Sequence, residues 1–324
     1  MMDGQIDPSE IRFFCGSSHP ELAADIAEYL GVPLDQTHIS RFSNDNLYIQ
    51  LEASVRSRRV YLVQSLFPPV NDHLMELLMM IDIARGAAAK EIHAVIPYFS
   101  FARSDKKDAP RISITARLVA DLLQTAGATH VMSMVFHSPQ VHGFFNIPTD
   151  PLSSRPIFKQ YFEQHDLSET VVVATDIGGA KSAARFAKNL GLPVAAGNKE
   201  RISDSKVEIS DVVGLQKSGA CRAIIYDDEI ATGGSVLELS KYLIKYGIQE
   251  IWVACTHAVF VRNALEKLAA VPQITQIVTT DTVYISPAKR HPKLTILSVA
   301  PVFGEAIRRN YLRESIGDLF IFGE

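Results

Sequence analysis

The sequence has few cysteines and no large excess of either charge. Its 324 residues include only Cys15, Cys221 and Cys255, and the formal net charge is -4 at pH 7. An odd number of widely spaced cysteines fits neither a disulfide framework nor a zinc site, so we expect buried thiols in a reducing compartment. The small net charge argues against a protein that binds nucleic acid through bulk electrostatics.

Membrane and export signals are also missing from the sequence. No apolar run is long enough to cross a bilayer, and the first ten residues lack the basic and apolar regions of a secretory signal. We therefore expect a cytoplasmic protein without a membrane partner. Apolar residues make up 47% of the chain and charged residues 21%, as in ordinary globular proteins, and the length indicates about two domains.

Apolar runs typical of buried parallel strands alternate with helical patterns through both halves of the chain. These runs are 11–14, 60–64, 92–97, 130–135, 170–174, 223–226, 251–256, 274–279 and 294–299. The alternation predicts an α/β protein with two doubly wound, mostly parallel sheets. A proline-bearing stretch without periodicity, 143–151, predicts the domain boundary. We expect an N-terminal domain over 1–149, rejoined by 303–324, and a C-terminal domain over 150–302.

The most informative stretch runs from Ala220 to Gly247. A buried strand over 223–226 is followed by Asp227 and Asp228, and a helix closed by Gly247 starts near Val236. Between them, Thr232, Gly233, Gly234 and Ser235 form a glycine-rich turn at a helix start, which favours a bound anion. Because carboxylates repel phosphate, the two aspartates instead suit sugar hydroxyls or a cation. The stretch predicts a cradle for ribose 5-phosphate; the alternative is an ordinary turn with Ser235 or Thr232 as the helix N-cap.

Other polar motifs follow predicted strands at the same end. His137 follows the strand over 130–135, and Asp176 follows the strand over 170–174. The loop 98–108 mixes aromatic residues with Arg103, Lys106 and Lys107, which suits a nucleotide base and its phosphates; a solvated run of charge is the alternative. Because ligands of doubly wound sheets bind beyond the carboxyl ends of the strands, these motifs predict one active site served by both halves.

Together these motifs resemble the ribose-phosphate pyrophosphokinases (PRPP synthetases), which have the type I phosphoribosyltransferase fold. The cradle alone is shared with the type I phosphoribosyltransferases, whereas the wider resemblance covers nearly the whole chain. The stretches that carry it are 16–19, 41–44, 71–77, 97–108, His137, 143–145, 176–181, 199–201, 227–235 and 305–309.

The resemblance implies transfer of the β,γ-diphosphoryl group of ATP to the anomeric hydroxyl of ribose 5-phosphate, with Mg²⁺. Lys199 and Arg201 would be catalytic residues on a mobile loop, and His137 with Asp176 would hold metal. The residues implied for ATP binding are Phe42, Asn44, Asn46, Arg103, Ser104, Asp105, Asp108 and His137. Those implied for ribose 5-phosphate are Asp176, Asp227, Asp228, Ala231, Thr232, Gly233, Gly234 and Ser235.

The family also implies a homo-oligomer built from dimers, with the hexamer as one such assembly. In it, a neighbouring subunit would contribute Phe42 and Asn44 to the adenine site.

The chain departs from the family pattern at four positions. Asn46 replaces a glutamate, Ser104 a glutamine, Val135 an aspartate, and Ala231 the third acid of the cradle. These departures leave two alternatives open. One is the same chemistry with another donor or another ribosyl acceptor such as ADP-ribose. The other is a weakly catalytic homologue that regulates active subunits.

Overall fold

The computed structural model describes residues 6–203 and 206–320, without the side chains of 199–210. The chain divides into two compact units. Unit 1 comprises Met1–Ser153, Thr282–Tyr284 and Ser298–Gly323, and unit 2 comprises Ser154–Asp281 and Ile285–Leu297.

Unit 1 contains a five-stranded sheet whose paired strands are all parallel. Its elements up to residue 152 are β1 (Ile11–Cys15), α1 (Pro20–Leu30), β2 (Thr37–Arg41), β3 (Leu47–Leu51), β4 (Arg59–Val63), α2 (Val70–Gly86), β5 (Glu91–Ile96), α3 (Thr115–Ala126), β6 (His130–Met134) and β7 (Thr149–Leu152). The sheet order is β1-β4-β5-β6-β7, while β2 and β3 form a separate antiparallel hairpin.

A buried polar network holds the turn after β1. Ser17 donates its N–H and its hydroxyl to the buried Glu76 carboxylate of α2, at 3.0 and 2.8 Å. Gln64 donates from Nε2 to the same carboxylate at 2.7 Å. A Cβ atom at Gly16 would lie 2.4 Å from Gln64 Oε1, so the turn packs closely enough to require glycine. The stretch 16–19 is therefore held by the interior of unit 1.

Unit 2 contains a seven-stranded sheet. Its elements are α4 (Arg155–Phe162), β8 (Thr170–Ala174), α5 (Ala180–Leu190), β9 (Val194–Ser203), β10 (Lys206–Val213), β11 (Arg222–Ile230), α6 (Gly234–Lys245), β12 (Glu250–Ala258), α7 (Ala264–Ala269), β13 (Ile274–Thr280) and β14 (Leu294–Leu297). The order is β10-β9-β8-β11-β12-β13-β14, and only the β9–β10 pair is antiparallel. The final helix, α8 (Ala300–Leu312), belongs to unit 1.

The central strands of unit 2 are buried on both faces. Val236 and Leu239 of α6 pack with Ile225 and Val253 on one face. Phe158 of α4 and Phe186 of α5 pack with Tyr226 and Trp252 on the other. Burial on both faces explains why these strands are continuous apolar runs, and it confirms the predicted doubly wound class.

The structure differs from several local expectations. The stretch 143–151, expected to separate the domains, includes most of β7, which pairs with β6 in the first sheet, and unit 1 extends to Ser153. Pro151 is tolerated in β7 because β7 is the edge strand of the sheet, and an edge strand needs fewer N–H donors. Lys199 and Arg201, which the resemblance places on a mobile loop, lie in β9, whose backbone pairs with β10. Cys221, expected to be buried, is partly exposed, whereas Cys15 and Cys255 are buried.

No helix in the described part of the chain is long and apolar enough to span a membrane.

Candidate active site

The cradle stretch forms an open turn between β11 and α6. The strand continues through Asp227 and Asp228 to Ile230, four residues further than the sequence predicted. Gly233 is the N-cap of α6 and has a left-handed φ of 75°, without a side-chain capping hydrogen bond. The alternative interpretation, an ordinary turn with Ser235 or Thr232 as the N-cap, is therefore wrong. Thr232, Gly234 and Ser235 are exposed around the buried Gly233.

The left-handed φ explains why glycine occupies position 233, because residues with a Cβ atom are strained there. A Cβ atom at this position would lie 3.4 Å from Leu268 of α7, an ordinary van der Waals distance, so Leu268 lies against the turn. The N-terminus of the 12-residue helix α6 is therefore presented at an exposed surface, where its backbone N–H groups favour an anion.

Asp227 lies in a network at the carboxyl end of the sheet. Thr175, directly after β8, donates its hydroxyl to Asp227 Oδ2 at 2.9 Å, and the N–H of Asp228 donates to Asp227 Oδ1 at 2.9 Å. Burial and the neighbouring Asp228 carboxylate raise the pKa of Asp227 well above its usual range. Such crowded negative charge favours a hydrogen-bond donor or a cation as ligand. Thr175 was not predicted as a site residue.

Asp176 supports the second turn of unit 2. Its Oδ1 accepts from the N–H of Gly179 at 2.9 Å, immediately before α5. Its side chain is partly buried, whereas the neighbouring Ile177 is 63% exposed. The carboxylate therefore stabilises the turn before α5, in addition to its predicted role in binding.

In unit 1, Phe42, Asn44 and Asn46 occupy the tip of the β2–β3 hairpin. The tip is closed by hydrogen bonds from Phe42 N to Asn46 O and from Asp45 N to Phe42 O, both 2.9 Å. Asn44 Oδ1 accepts from Asn46 N at 3.3 Å. The Phe42 ring is 57% exposed and packs edge-on against Tyr48, with the ring centroids 5.7 Å apart. An exposed aromatic ring at a hairpin tip is available for stacking.

The loop after β5 differs from the expectation in its aromatic part. Tyr98 and Phe99 are buried, and Phe99 packs against Phe136 and Phe145 in the interior of unit 1. Both rings are therefore buried in unit 1 and are not available to stack on a nucleotide base. Arg103 is exposed at the end of a short 3-10 helix.

The polar residues that follow are partly engaged in local structure. The Ser104 hydroxyl accepts from the N–H of Thr115 at 3.2 Å, so it anchors the start of α3. Asp105 accepts from the hydroxyl of Ser138. Asp108 is exposed, and His137 is exposed directly after the buried Phe136. The contact of Asp105 with Ser138 brings the 98–108 loop beside the segment that carries His137.

Lys199 and Arg201 lie in β9, where they pair with Ile209 and Val207 of β10. Their side chains fall outside the described residues. The described part of the chain contains no group of three or more histidine, cysteine, aspartate or glutamate side chains that gathers as a metal site.

The sequence and the structure match known proteins over most of their length. The N-terminal domain of ribose phosphate pyrophosphokinase matches residues 11–127, and the phosphoribosyl synthetase-associated domain matches residues 202–321. A Streptomyces coelicolor protein, whose name assigns it provisionally to the ribose-phosphate pyrophosphokinases, is 50% identical over 96% of this chain and 98% of its own. The ribose-phosphate pyrophosphokinase of Deinococcus radiodurans is 43% identical over 96% of this chain and 98% of its own.

The crystal structure of phosphoribosylpyrophosphate synthetase from Mycobacterium smegmatis is also similar. It superimposes with a TM-score of 0.86 and 34% identity, covering 94% of this chain and 99% of that one. The two compact α/β units therefore have the architecture that the resemblance implied. On sequence and on fold, the chain belongs to the ribose-phosphate pyrophosphokinase family.

Proposed function

We propose that this protein is a ribose-phosphate diphosphokinase. It transfers the intact β,γ-diphosphoryl group of ATP to the anomeric hydroxyl of ribose 5-phosphate, giving 5-phosphoribosyl 1-diphosphate and AMP. The observation that carries the proposal is the exposed, glycine-capped start of α6 directly after the Asp227–Asp228 pair, in a chain of this family.

Unit 2 supplies the acceptor site. The N–H groups of the turn over 232–235, with the hydroxyls of Thr232 and Ser235, bind the 5′-phosphate. Asp227 and Asp228 accept hydrogen bonds from the ribose hydroxyls, because carboxylates placed beside a phosphate need donors as partners. Asp176 completes the acceptor site, and Ala231 contributes only backbone.

Unit 1 supplies the donor site. Phe42 presents an exposed ring for adenine, while Asn44 and Asn46 offer amide groups for its polar edge. Arg103 and His137, both exposed, bind the phosphates. Ser104, Asp105 and Asp108 shape the loop that carries Arg103.

The reaction forms one bond and breaks one bond. The anomeric oxygen of ribose 5-phosphate attacks the β-phosphorus, and the bond from that phosphorus to the α,β-bridging oxygen breaks. The electron pair leaves on AMP, and the hydroxyl proton passes to solvent. Negative charge spreads over the phosphoryl oxygens during this displacement, so catalysis depends on positioning and on nearby cations. Lys199 and Arg201 supply those cations.

Mg²⁺ is the metal that suits the available donors. Magnesium is commonly held by one or two carboxylates together with substrate phosphates, and it does not require a protein cage. The Asp176 carboxylate and the His137 imidazole offer an oxygen and a nitrogen donor, and the crowded charge at Asp227 and Asp228 also favours a cation. When bound, the metal neutralises phosphate charge; the protein groups orient the two substrates.

We further propose a homo-oligomer built from dimers, up to a hexamer, in the cytoplasm. The support is the exposed Phe42 ring on a hairpin tip, which suits a site completed by a neighbouring subunit. Analytical ultracentrifugation tests it, since a monomer that is fully active at low concentration would contradict a shared site.

Phosphorus NMR of the products from ATP, Mg²⁺ and ribose 5-phosphate tests the proposed reaction. We expect AMP and a pyrophosphoryl group bonded to the sugar, in stoichiometric amounts. A parallel reaction with ADP-ribose tests the other acceptor. Product from ADP-ribose alone, or no product from either acceptor, would contradict the proposal.

A further inference from the structure

The turn that follows β12 is strained and bonded to the cradle. Phe260, Arg262 and Asn263 have φ values of 41°, 53° and 58°, in the left-handed region that residues with a Cβ rarely adopt. Three such residues within four positions cost free energy, which the surrounding structure has to offset.

The turn donates successive backbone hydrogen bonds to the end of β11. The N–H groups of Val259 and Phe260 both donate to Ile230 O, at 3.0 and 3.1 Å. The N–H of Val261 donates to Ala231 O at 2.9 Å. The ladder between β11 and β12 ends at the pair Ile230–Ala258, so these bonds continue the contact beyond the sheet. The backbone curves at the left-handed residues, so neighbouring N–H groups of the turn point towards the end of β11.

The bond to Ala231 fixes the orientation of one peptide plane in the cradle. The peptide between Ala231 and Thr232 is trans, so its C=O and N–H point in opposite directions. Because Val261 holds the carbonyl, the N–H of Thr232 is directed away from the turn. Within the described part of the chain, the N–H groups of Thr232 and Gly233 donate to no protein acceptor.

We propose that the turn over 259–263 is the positioning element of the phosphate cradle. It holds the Ala231 carbonyl so that the Thr232 N–H faces the 5′-phosphate and the carbonyl does not. A flipped peptide would present a carbonyl oxygen to the anion, which repels it. The packing of Leu268 behind Gly233 supports the same turn from α7. This inference rests on the proposed function, and it explains how a cradle with alanine at 231 remains ordered through its backbone.

Two variants test it. Val261→Pro removes the N–H that binds Ala231 O, and we expect the KM for ribose 5-phosphate to rise about tenfold or more. Arg262→Val leaves the N–H of Val261 in place but disfavours the turn, because a β-branched residue rarely adopts φ 53°. Since Arg262 is exposed, little packing is changed, and we expect about a threefold rise. In both variants the KM for ATP should stay within about twofold of the wild type.

The controls separate positioning from general damage. Arg313→Val makes the same change at another exposed left-handed residue, φ 62°, at the end of α8 in unit 1, and should leave both KM values unchanged. Arg262→Asn should keep the wild-type KM, because asparagine tolerates left-handed φ. Calorimetric titration with ribose 5-phosphate should show the weakened binding directly in Arg262→Val.

Two results would overturn the inference: a wild-type KM for ribose 5-phosphate in folded Arg262→Val, or equal increases for ATP and ribose 5-phosphate. If Val261→Pro does not fold, Arg262→Val decides alone. A wild-type protein that makes no product from ribose 5-phosphate would instead refute the proposed function, so the two failures are distinguishable.

Discussion

Replacing Asp227 by asparagine is expected to stabilise the protein and weaken its use of ribose 5-phosphate. Burial and the charge of Asp228 raise the pKa of Asp227, so its ionised form is less favourable in the folded chain than in the unfolded chain. At low pH the carboxyl group is protonated in both states, so Asp227 does not lower the free energy of unfolding. As the pH rises from the unfolded pKa, about 4, towards the folded pKa, Asp227 lowers the free energy of unfolding by an increasing amount.

The stabilisation can be estimated from the contacts of the side chain. Asparagine keeps an oxygen that accepts the Asp228 N–H, and its amide group can donate to the Thr175 hydroxyl. The main change is therefore the loss of a disfavoured charge, worth about 1–2 kcal/mol after relaxation of the pair. For a unit of this size we expect a rise in melting temperature of about 2–8 °C near pH 8, and almost none near pH 4.

The effect on the reaction has the opposite sign. If Asp227 accepts a hydrogen bond from a ribose hydroxyl, Asp227→Asn removes a charge-assisted bond worth about 1.5–3 kcal/mol. This corresponds to a loss of about ten- to a hundredfold in kcat/KM for ribose 5-phosphate, with ATP binding spared. A residue whose removal improves stability but impairs activity is characteristic of a functional site.

The assay combines thermal melts between pH 4 and 8.5 with steady-state kinetics at saturating ATP. Asp166→Asn is the matched control, because Asp166 is exposed in the same unit and accepts from Ser168 N at 2.9 Å, which lowers its pKa. That variant should not gain stability, and its kinetics should be unchanged. Wild-type kinetics and an unchanged melting temperature in Asp227→Asn would refute both the charge argument and the binding role.

Three further predictions concern other parts of the chain. Lys199→Ala and Arg201→Ala should each lower kcat about a hundredfold; a rise in the KM for ATP alone would contradict their catalytic role. Val135→Asn should stabilise the fold by about 1 kcal/mol in thermal melts, because valine is strained at φ 45°; a lower melting temperature would refute this. Burial lowers the pKa of His93, so stability should fall as the pH drops below about 6.5; an equal pH dependence in His93→Gln would contradict that.

Much of the architecture could be predicted because strand burial is visible in the sequence. Continuous apolar runs identified every strand of the first sheet except β7, and β8 and β11 to β14 of the second sheet, since a strand covered on both faces has few polar positions. Helix ends with standard signals are also visible in the sequence: α1 begins at Pro20, and Gly31, which follows its last residue, has a left-handed conformation.

The segments that were missed lack a pattern of that kind. The β9–β10 hairpin was missed because polar and charged residues predominate around Lys199 and Arg201, and the alternation of Val207 and Ile209 with polar residues in β10 is short. The edge strand β7 contains Pro151, which normally argues against a strand. The short helices α4 and α7 are eight and six residues long, too short for periodicity to show.

The chemistry of the cradle was determined by the sequence itself. Asp227, Asp228 and the glycine-rich turn are neighbours along the chain, so their combination is a local property and could be recognised without a fold. The burial of Tyr98 and Phe99 could not be recognised from the sequence, because an aromatic residue in a polar loop gives no sign of whether its ring faces the interior or solvent.

Only the tertiary structure decided how the cradle is held. Thr175 reaches Asp227 across 52 residues, and the turn after β12 reaches Ala231 across 30. Both contacts arise because parallel pairing aligns the carboxyl ends of β8, β11 and β12 at one edge of the sheet. Local sequence thus determined which groups the proposed site offers to a phosphate and a sugar, whereas long-range pairing of the strands determined how those groups are oriented.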